Sequence, residues 1–396
     1  MASTLASHWT LDPTVTFLNH GSFGACPRVV LEAQAALRAR LEREPVLFLV
    51  RELEPLWEAA LTALGGFLGC DPDDLGMVPN ATGGVNAVLR SLRLQPGDEV
   101  LTTDHGYGGC RNALDWVAER AGARVVVAQV PFPAVSAEEI EAAVMGALTA
   151  RTRLALLDHV ASPTGLVFPI ARLVAALAER GVDTLVDGAH APGMLPLDLR
   201  ALGAAYYTGN CHKWMCAPKA AAFLHVRRDL QDQIVPPTIS HGRRLARPDR
   251  SPFQLLFGWQ GTQDPSAFLC VPEAIRAVGA MVPGGWPEVR ARNQRLAVEA
   301  RRILCAALSL PTPASDDLIG SLAAVPLPPS RTGPSPVPPH LDALQDALWN
   351  DARIEVPVHP WPAPPQRLMR VSAHLYNEAS EYERLAAVLI NELARF

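Results

Sequence analysis

Through roughly residue 230, short apolar runs alternate with amphipathic stretches of helical period, and this alternation leaves few folds open. Apolar runs bounded by polar turns, with helices between them, read as strands of a mostly parallel sheet covered on both faces. The runs predict strands at 75–79, 99–103, 124–129, 154–158, 183–187, 204–208 and 220–226, seven in all. Between them, Ser136-Ala-Glu-Glu139 is a capping box that opens a helix through Leu148. A second helix, 170–180, ends at Gly181, a residue suited to a left-handed cap.

Beyond Trp286 the texture changes. A helical stretch, 288–308, is followed by a proline-rich passage, 326–339, which reads as loop. Extended elements at 354–358 and 368–372 and a terminal helix at 381–395 then read as a smaller α+β domain. The expected division is a large domain at 26–285 and a small one at 286–396, with 1–25 joining the small domain at the site entrance; 396 residues suffice for both.

Ligands bind an open parallel sheet beyond the carboxyl ends of its strands, so the segments that follow the strands matter most. After 75–79 comes Asn80-Ala-Thr-Gly-Gly-Val-Asn86, leading into a helix at 87–92. Glycines at a helix start let amides close on a phosphate, although such a pair also serves as a plain turn. The segment is neither a Walker A loop nor a dinucleotide fingerprint. After 183–187 comes Gly188-Ala-His190; Asp187, the carboxylate closing that apolar run, either caps the next turn or meets a cation such as a protonated aromatic nitrogen. After 204–208 comes Gly209-Asn-Cys-His-Lys-Trp214, with Lys213 standing 26 residues beyond Asp187, one strand–helix–strand step.

Here composition adds weight. Among 35 basic residues only Lys213 and Lys219 are lysine; the rest are arginine. A chain that uses arginine so freely keeps lysine where a neutral, nucleophilic amine is required, since a guanidinium stays charged. For Lys219 chance or support of the turn suffices, and arginine should be tolerated there. Lys213 shares one sheet edge with a carboxylate and a phosphate-type helix start.

These segments, with Phe17-Leu-Asn-His-Gly-Ser22, Asp104-His-Gly-Tyr-Gly108, Ser162-Pro-Thr-Gly165, Gly261-Thr-Gln-Asp264, Gly320-Ser-Leu-Ala323, Glu355-Val-Pro357 and Arg370-Val-Ser-Ala-His-Leu-Tyr-Asn377, resemble the class V aminotransferases, over nearly the whole chain. The resemblance is to fold-type I pyridoxal-phosphate enzymes, and within them to the isopenicillin N epimerase-like branch. It implies a Schiff base on Lys213, with Asp187 facing the pyridine nitrogen. Thr82, Gly83, Asn210 and His212 would hold the phosphate, and Thr262 would reach a phosphate in a partner subunit of a homodimer. Ser162 and His190 would lie near the ring's 3-hydroxyl and the Schiff base. Arg370 would clamp the substrate carboxylate, and Asn19 would lie on a specificity loop. Either His105 or Tyr107 would cover the ring.

The chemistry implied is Cα-proton transfer on an amino acid, with epimerisation first, transamination or C–S lysis as alternatives, and an inactive cofactor-binding scaffold as the non-enzymatic one. Persulfide formation is disfavoured, because no cysteine lies between Cys305 and Arg370. The formal charge of −5 gives no basic excess for nucleic acid, and no apolar run is long enough for a membrane span. Seven scattered cysteines without a C-x-x-C pair, and a start lacking signal-peptide features, suggest free thiols in the cytoplasm and no metal.

Overall fold

The computed structural model describes residues 3–133, 136–332 and 341–396. Its main sheet contains β1 (Leu75–Val78), β2 (Glu99–Thr103), β3 (Arg124–Ala128), β4 (Thr152–Asp158), β5 (Asp183–Asp187), β6 (Tyr206–Asn210) and β7 (Ala222–Val226). Their order is β1-β7-β6-β5-β4-β2-β3, with every pairing parallel except those of β7. All seven strands thus form, as a fold-type I sheet. Successive residues of β4 enter opposite cores: Leu154 and Leu156 pack on one face, Ala155 and Leu157 on the other. A strand buried on both faces has no polar alternation to mark its ends. Accordingly β6 begins two residues later than its apolar run suggests and carries Asn210 as its last residue.

The helix expected at 87–92 begins earlier, as α1 (Ala81–Ser91). The side chain of Asn80 caps it by accepting the Gly83 N–H at 2.8 Å. Gly83 and Gly84 therefore lie in the first helical turn rather than in a loop. Gly84 has a packing reason to be glycine: a Cβ there would meet Thr208 Oγ1 at 2.2 Å, so α1 lies directly on β6. Farther along are α2 (Gly108–Ala121), α3 (Ala137–Gly146), opened by the Ser136 capping box, and α4 (Ile170–Ala178), after which Gly181 has a positive φ.

A second, antiparallel sheet, ordered β9-β10-β8, comprises β8 (Leu322–Leu327), β9 (Val358–Pro360) and β10 (Arg367–Ser372). It packs with α5 (Gly285–Ala307) and α6 (Ala379–Leu393) around a separate apolar cluster, which Leu18 also enters. The proline-rich passage is not all loop: Pro326 and Leu327 complete β8, paired to β10. Its residues 333–339 lie outside the described residues. Among the described residues no helix is long and apolar enough to cross a membrane.

Candidate active site

The carboxyl ends of β4, β5 and β6 and the amino end of α1 converge on a cavity of about 520 Å³, and Lys213 lines it. Lys213 lies three residues beyond β6, in a turn secured by Cys211 N–H to Ala221 O and Cys216 N–H to Lys213 O, each 3.0 Å. The same Lys213 carbonyl lies 3.0 Å from His20 Nε2, and His20 Nδ1 lies 2.8 Å from the Tyr376 hydroxyl. A carbonyl only accepts, so His20 donates from Nε2 and accepts the Tyr376 O–H at Nδ1. Gly24, at φ +72°, crosses the turn so closely that a Cβ would stand 2.0 Å from His212 O. Lys219 Nζ donates to Gly24 O at 2.8 Å, so the second lysine supports the turn.

Lys213 Nζ stands 3.0 Å from His190 Nε2. Burial first, then the Arg370 guanidinium, lowers its amine to about 7. His190 is held well below the ordinary histidine range, chiefly by burial and then by Lys213.

Thr82, Asn210 and His212 also line the cavity. Asn210 Oδ1 accepts the Ala81 N–H at 2.8 Å, tying α1 to β6. His212 directs Nδ1 to Ala221 O at 3.0 Å and is pulled to about 4 by burial. Asp187 forms part of the wall; its Oδ1 accepts from Ala189 N–H and its Oδ2 from the Cys110 thiol, both at 3.0 Å. Asp158, beside it, escaped the sequence reading although it too closes an apolar strand. Burial, then the neighbouring Asp187, pushes Asp158 well above the carboxylate range, while the amides of Ser162 and Tyr107 donate to it. Cys110 was missed as well, and a cysteine on an amphipathic helix gives no signal of its own.

The mouth is formed by Ser22, Phe23, Tyr107 and Ser162. Phe23 is 75% exposed and Tyr107 48%. Of the two candidates to cover a bound ring, Tyr107 faces the cavity. His105 does not: it is fully buried, with Nδ1 on Thr164 Oγ1 at 2.9 Å and Nε2 on Val130 O at 3.1 Å, so both nitrogens are committed to packing.

Four further residues stand outside the cavity lining. Asn19 Nδ2 donates to Glu355 and its Oδ1 accepts from Ser22 Oγ, so it is tied to Ser22, which does line the cavity. The Gly83 amide is taken by Asn80, leaving Thr82 as the α1 residue on the cavity. Thr262 is exposed and is not among the residues that line this chain's cavity. Arg370, on β10, lies just behind the mouth: Nη1 donates to Ser162 O at 2.5 Å and to Ser162 Oγ at 3.2 Å, and Nη2 to Ser22 Oγ at 3.2 Å. Its Nε is buried and has no partner among the described residues.

His20, Cys216 and His374 bring ligand-type atoms within 4.8 Å of one another. The two imidazoles, however, stack at 4.3 Å and 22°. An ion bound in the plane of one ring would lie off the plane of the other, so the cluster is packing rather than a metal centre.

A sheet of this order, with a lysine, a carboxylate and a helix amino terminus at one edge, defines a fold-type I enzyme. The chain belongs to the aminotransferase class-V family, whose match spans residues 50–300. It is 39% identical to an isopenicillin N epimerase of Amycolatopsis lactamdurans over 96% of each chain. It is also 33% identical to putative L-cysteine desulfhydrase 1 of Oryza sativa subsp. japonica, covering 94% of this chain and 82% of that one. Among solved structures it superposes on a C-DES mutant with glycine covalently linked to its PLP cofactor, with a TM-score of 0.78, 24% identity and coverage of 95% and 96%.

Proposed function

We propose that the cavity holds pyridoxal 5'-phosphate on Lys213 and that the enzyme carries out Cα-proton chemistry on an amino acid, as an isopenicillin N epimerase-type epimerase. The observation that carries this reading is the lowered amine of Lys213 on a cavity whose wall includes Asp187 and the amino terminus of α1. The donors present fit the group: Thr82, Asn210 and His212 for the phosphate, Asp187 for the pyridine nitrogen, Ser162 and His190 for the 3-hydroxyl. The unpartnered Nε of Arg370 is suited to a substrate carboxylate, which a guanidinium grips through two donors. When bound, pyridoxal phosphate withdraws electrons from the substrate Cα and makes its proton removable.

Lys213 then takes or returns that proton on one face, and the Tyr107 hydroxyl serves the other. Arg370 fixes the carboxylate, and Phe23 with Tyr107 shields the mouth from water. Transamination and C–S lysis begin with the same proton removal, and the similarity to a desulfhydrase keeps lysis as the second reading. Persulfide transfer has no support, because every cysteine is buried.

Further parts of the proposal are a cytoplasmic homodimer and domains at 26–285 and 286–396, with 1–25 joining the latter. The groove in which Leu53, Trp57, Leu245 and Trp259 lie beside Glu54, Arg247 and Arg250, with Val50 exposed at 73%, supports the dimer, as does the exposure of Thr262.

The test is a panel of amino acids in deuterated water, with α-proton exchange, keto-acid release and thiol release followed separately. Deuterium in recovered amino acid of inverted configuration, without net loss, is expected. Stoichiometric keto acid or thiol would replace epimerisation by transamination or lysis. A protein that stays colourless with added pyridoxal phosphate, and in which borohydride fixes nothing to Lys213, would end the cofactor reading itself; a coloured protein without turnover would leave only a scaffold.

A further inference from the structure

We infer that Trp214 is a positioning residue that fixes the tautomer of His190 and so keeps Lys213 a neutral amine, ready to condense with an aldehyde. The inference rests on the proposed role of Lys213 but concerns the protein before any cofactor binds. Trp214 Nε1 lies 3.4 Å from His190 Nδ1, while His190 Nε2 lies 3.0 Å from Lys213 Nζ. An indole N–H donates and never accepts. His190 Nδ1 is therefore its bare nitrogen, and a neutral imidazole then carries its hydrogen on Nε2. That hydrogen points at Lys213, which can receive it only through a lone pair, and an ammonium has none.

The alternatives are worse. The other tautomer sets two N–H groups against each other across the Trp214 contact. An imidazolium sets two positive charges 3.0 Å apart in a site removed from water. Trp214 is itself well fixed: it is 1% exposed, stacks on His374 at 6.1 Å and 23°, and lies 4.8 Å from the His20 ring.

The other ionisable groups around the pair are Arg370 from β10, Asp158 and Asp187 from the strand ends, Cys110 from α2, His20 from the amino-terminal segment and His212 from the lysine turn. Arg370 favours the neutral amine and Asp187 opposes it. Among the described residues none of the six hydrogen-bonds to a His190 nitrogen, so the choice of tautomer falls to Trp214.

The experiment uses cofactor-free protein, so it is independent of turnover. Amine acetylation is pulsed across neutral to alkaline pH and read residue by residue by mass spectrometry. The chain has only Lys213 and Lys219, and exposed Lys219 serves as the internal reference. Trp214→Phe frees His190 Nδ1 to take the hydrogen and Nε2 to accept from an ammonium. The Lys213 labelling midpoint should then rise by about one pH unit, slowing its labelling near neutrality roughly tenfold. A folded Trp214→Phe protein with an unchanged midpoint overturns the inference. Should that variant not fold, nitrogen-15 histidine spectra of the unaltered protein decide: hydrogen on His190 Nε2 is expected, and hydrogen on Nδ1 refutes it. A protein that never takes up pyridoxal phosphate would end the functional reading while leaving both of these measurements intact.

Discussion

Asp158 and Asp187 end neighbouring strands and stand opposite each other in register across β4 and β5. Two carboxyls so placed do not both carry charge comfortably, and it is Asp158 that is pushed well up, by burial and by Asp187. Their substitutions should therefore differ. Asp158→Asn replaces a neutral acid by a neutral amide that still accepts from Ser162 and Tyr107, so cofactor affinity should change only a few-fold. Asp187→Asn removes the charge proposed to meet the pyridine nitrogen, at a cost of about 3 kcal/mol, on the order of a hundredfold in affinity. Equilibrium titration of the visible absorbance compares the two, and equal losses would remove the distinction.

Arg370→Lys should raise KM for the amino acid about tenfold or more while the cofactor still binds. A lysine keeps a charge but loses the planar fork that reaches Ser162, Ser22 and a carboxylate together. Steady-state kinetics beside cofactor titration separates the two effects.

Cofactor loading should quicken as pH rises through about 7 and level off above it. The reacting group is the neutral amine, and burial has brought Lys213 down to that range. Stability follows in sign. Unfolded lysine titrates near about 10.4, so between neutrality and that value the unfolded chain binds the extra proton. Raising pH across this window therefore stabilises the cofactor-free protein through this residue. Stopped-flow absorbance and thermal melts over the same buffers check both statements.

Gly84→Ala should lower Tm, because the new methyl would meet Thr208 Oγ1 at 2.2 Å. An overpacked contact of this kind costs about 1–3 kcal/mol. Thr208→Ala in the same chain should recover part of the loss; a purely additive double mutant would mean that the contact is not the cause.

Lys213→Arg should fold normally and never be fixed to cofactor by borohydride. Lys219→Arg should retain attachment, since arginine also donates to Gly24 O. Peptide mapping after reduction distinguishes the two lysines.

Much of this was legible in the sequence for a physical reason: strands buried on both faces must be continuously apolar, and Asp187 and Lys213 interrupt that pattern where β5 ends and just beyond β6. What escaped depends on pairing between distant segments. His105 and Tyr107 are two residues apart on one loop, and only the fold turns one inward to Thr164 and the other toward the cavity. The glycines after Asn80 look like a phosphate loop until Thr208 is found against Gly84. Asp158 was open to the rule that picked out Asp187, but nothing in its flanks set it apart.

The strap from Thr16 to Gly24 also fixes an order of assembly. Its partners lie far along the chain: Thr16 pairs with Ile354, Ser22 receives Arg370 at a separation of 348 residues, and His20 meets Tyr376 at a separation of 356. This segment is made long before these partners, so its pairing is complete only once residues 354–376 have followed. His20, which meets the carbonyl of Lys213, gains its Tyr376 contact only then, so the lysine turn reaches its final geometry after the second sheet has been made.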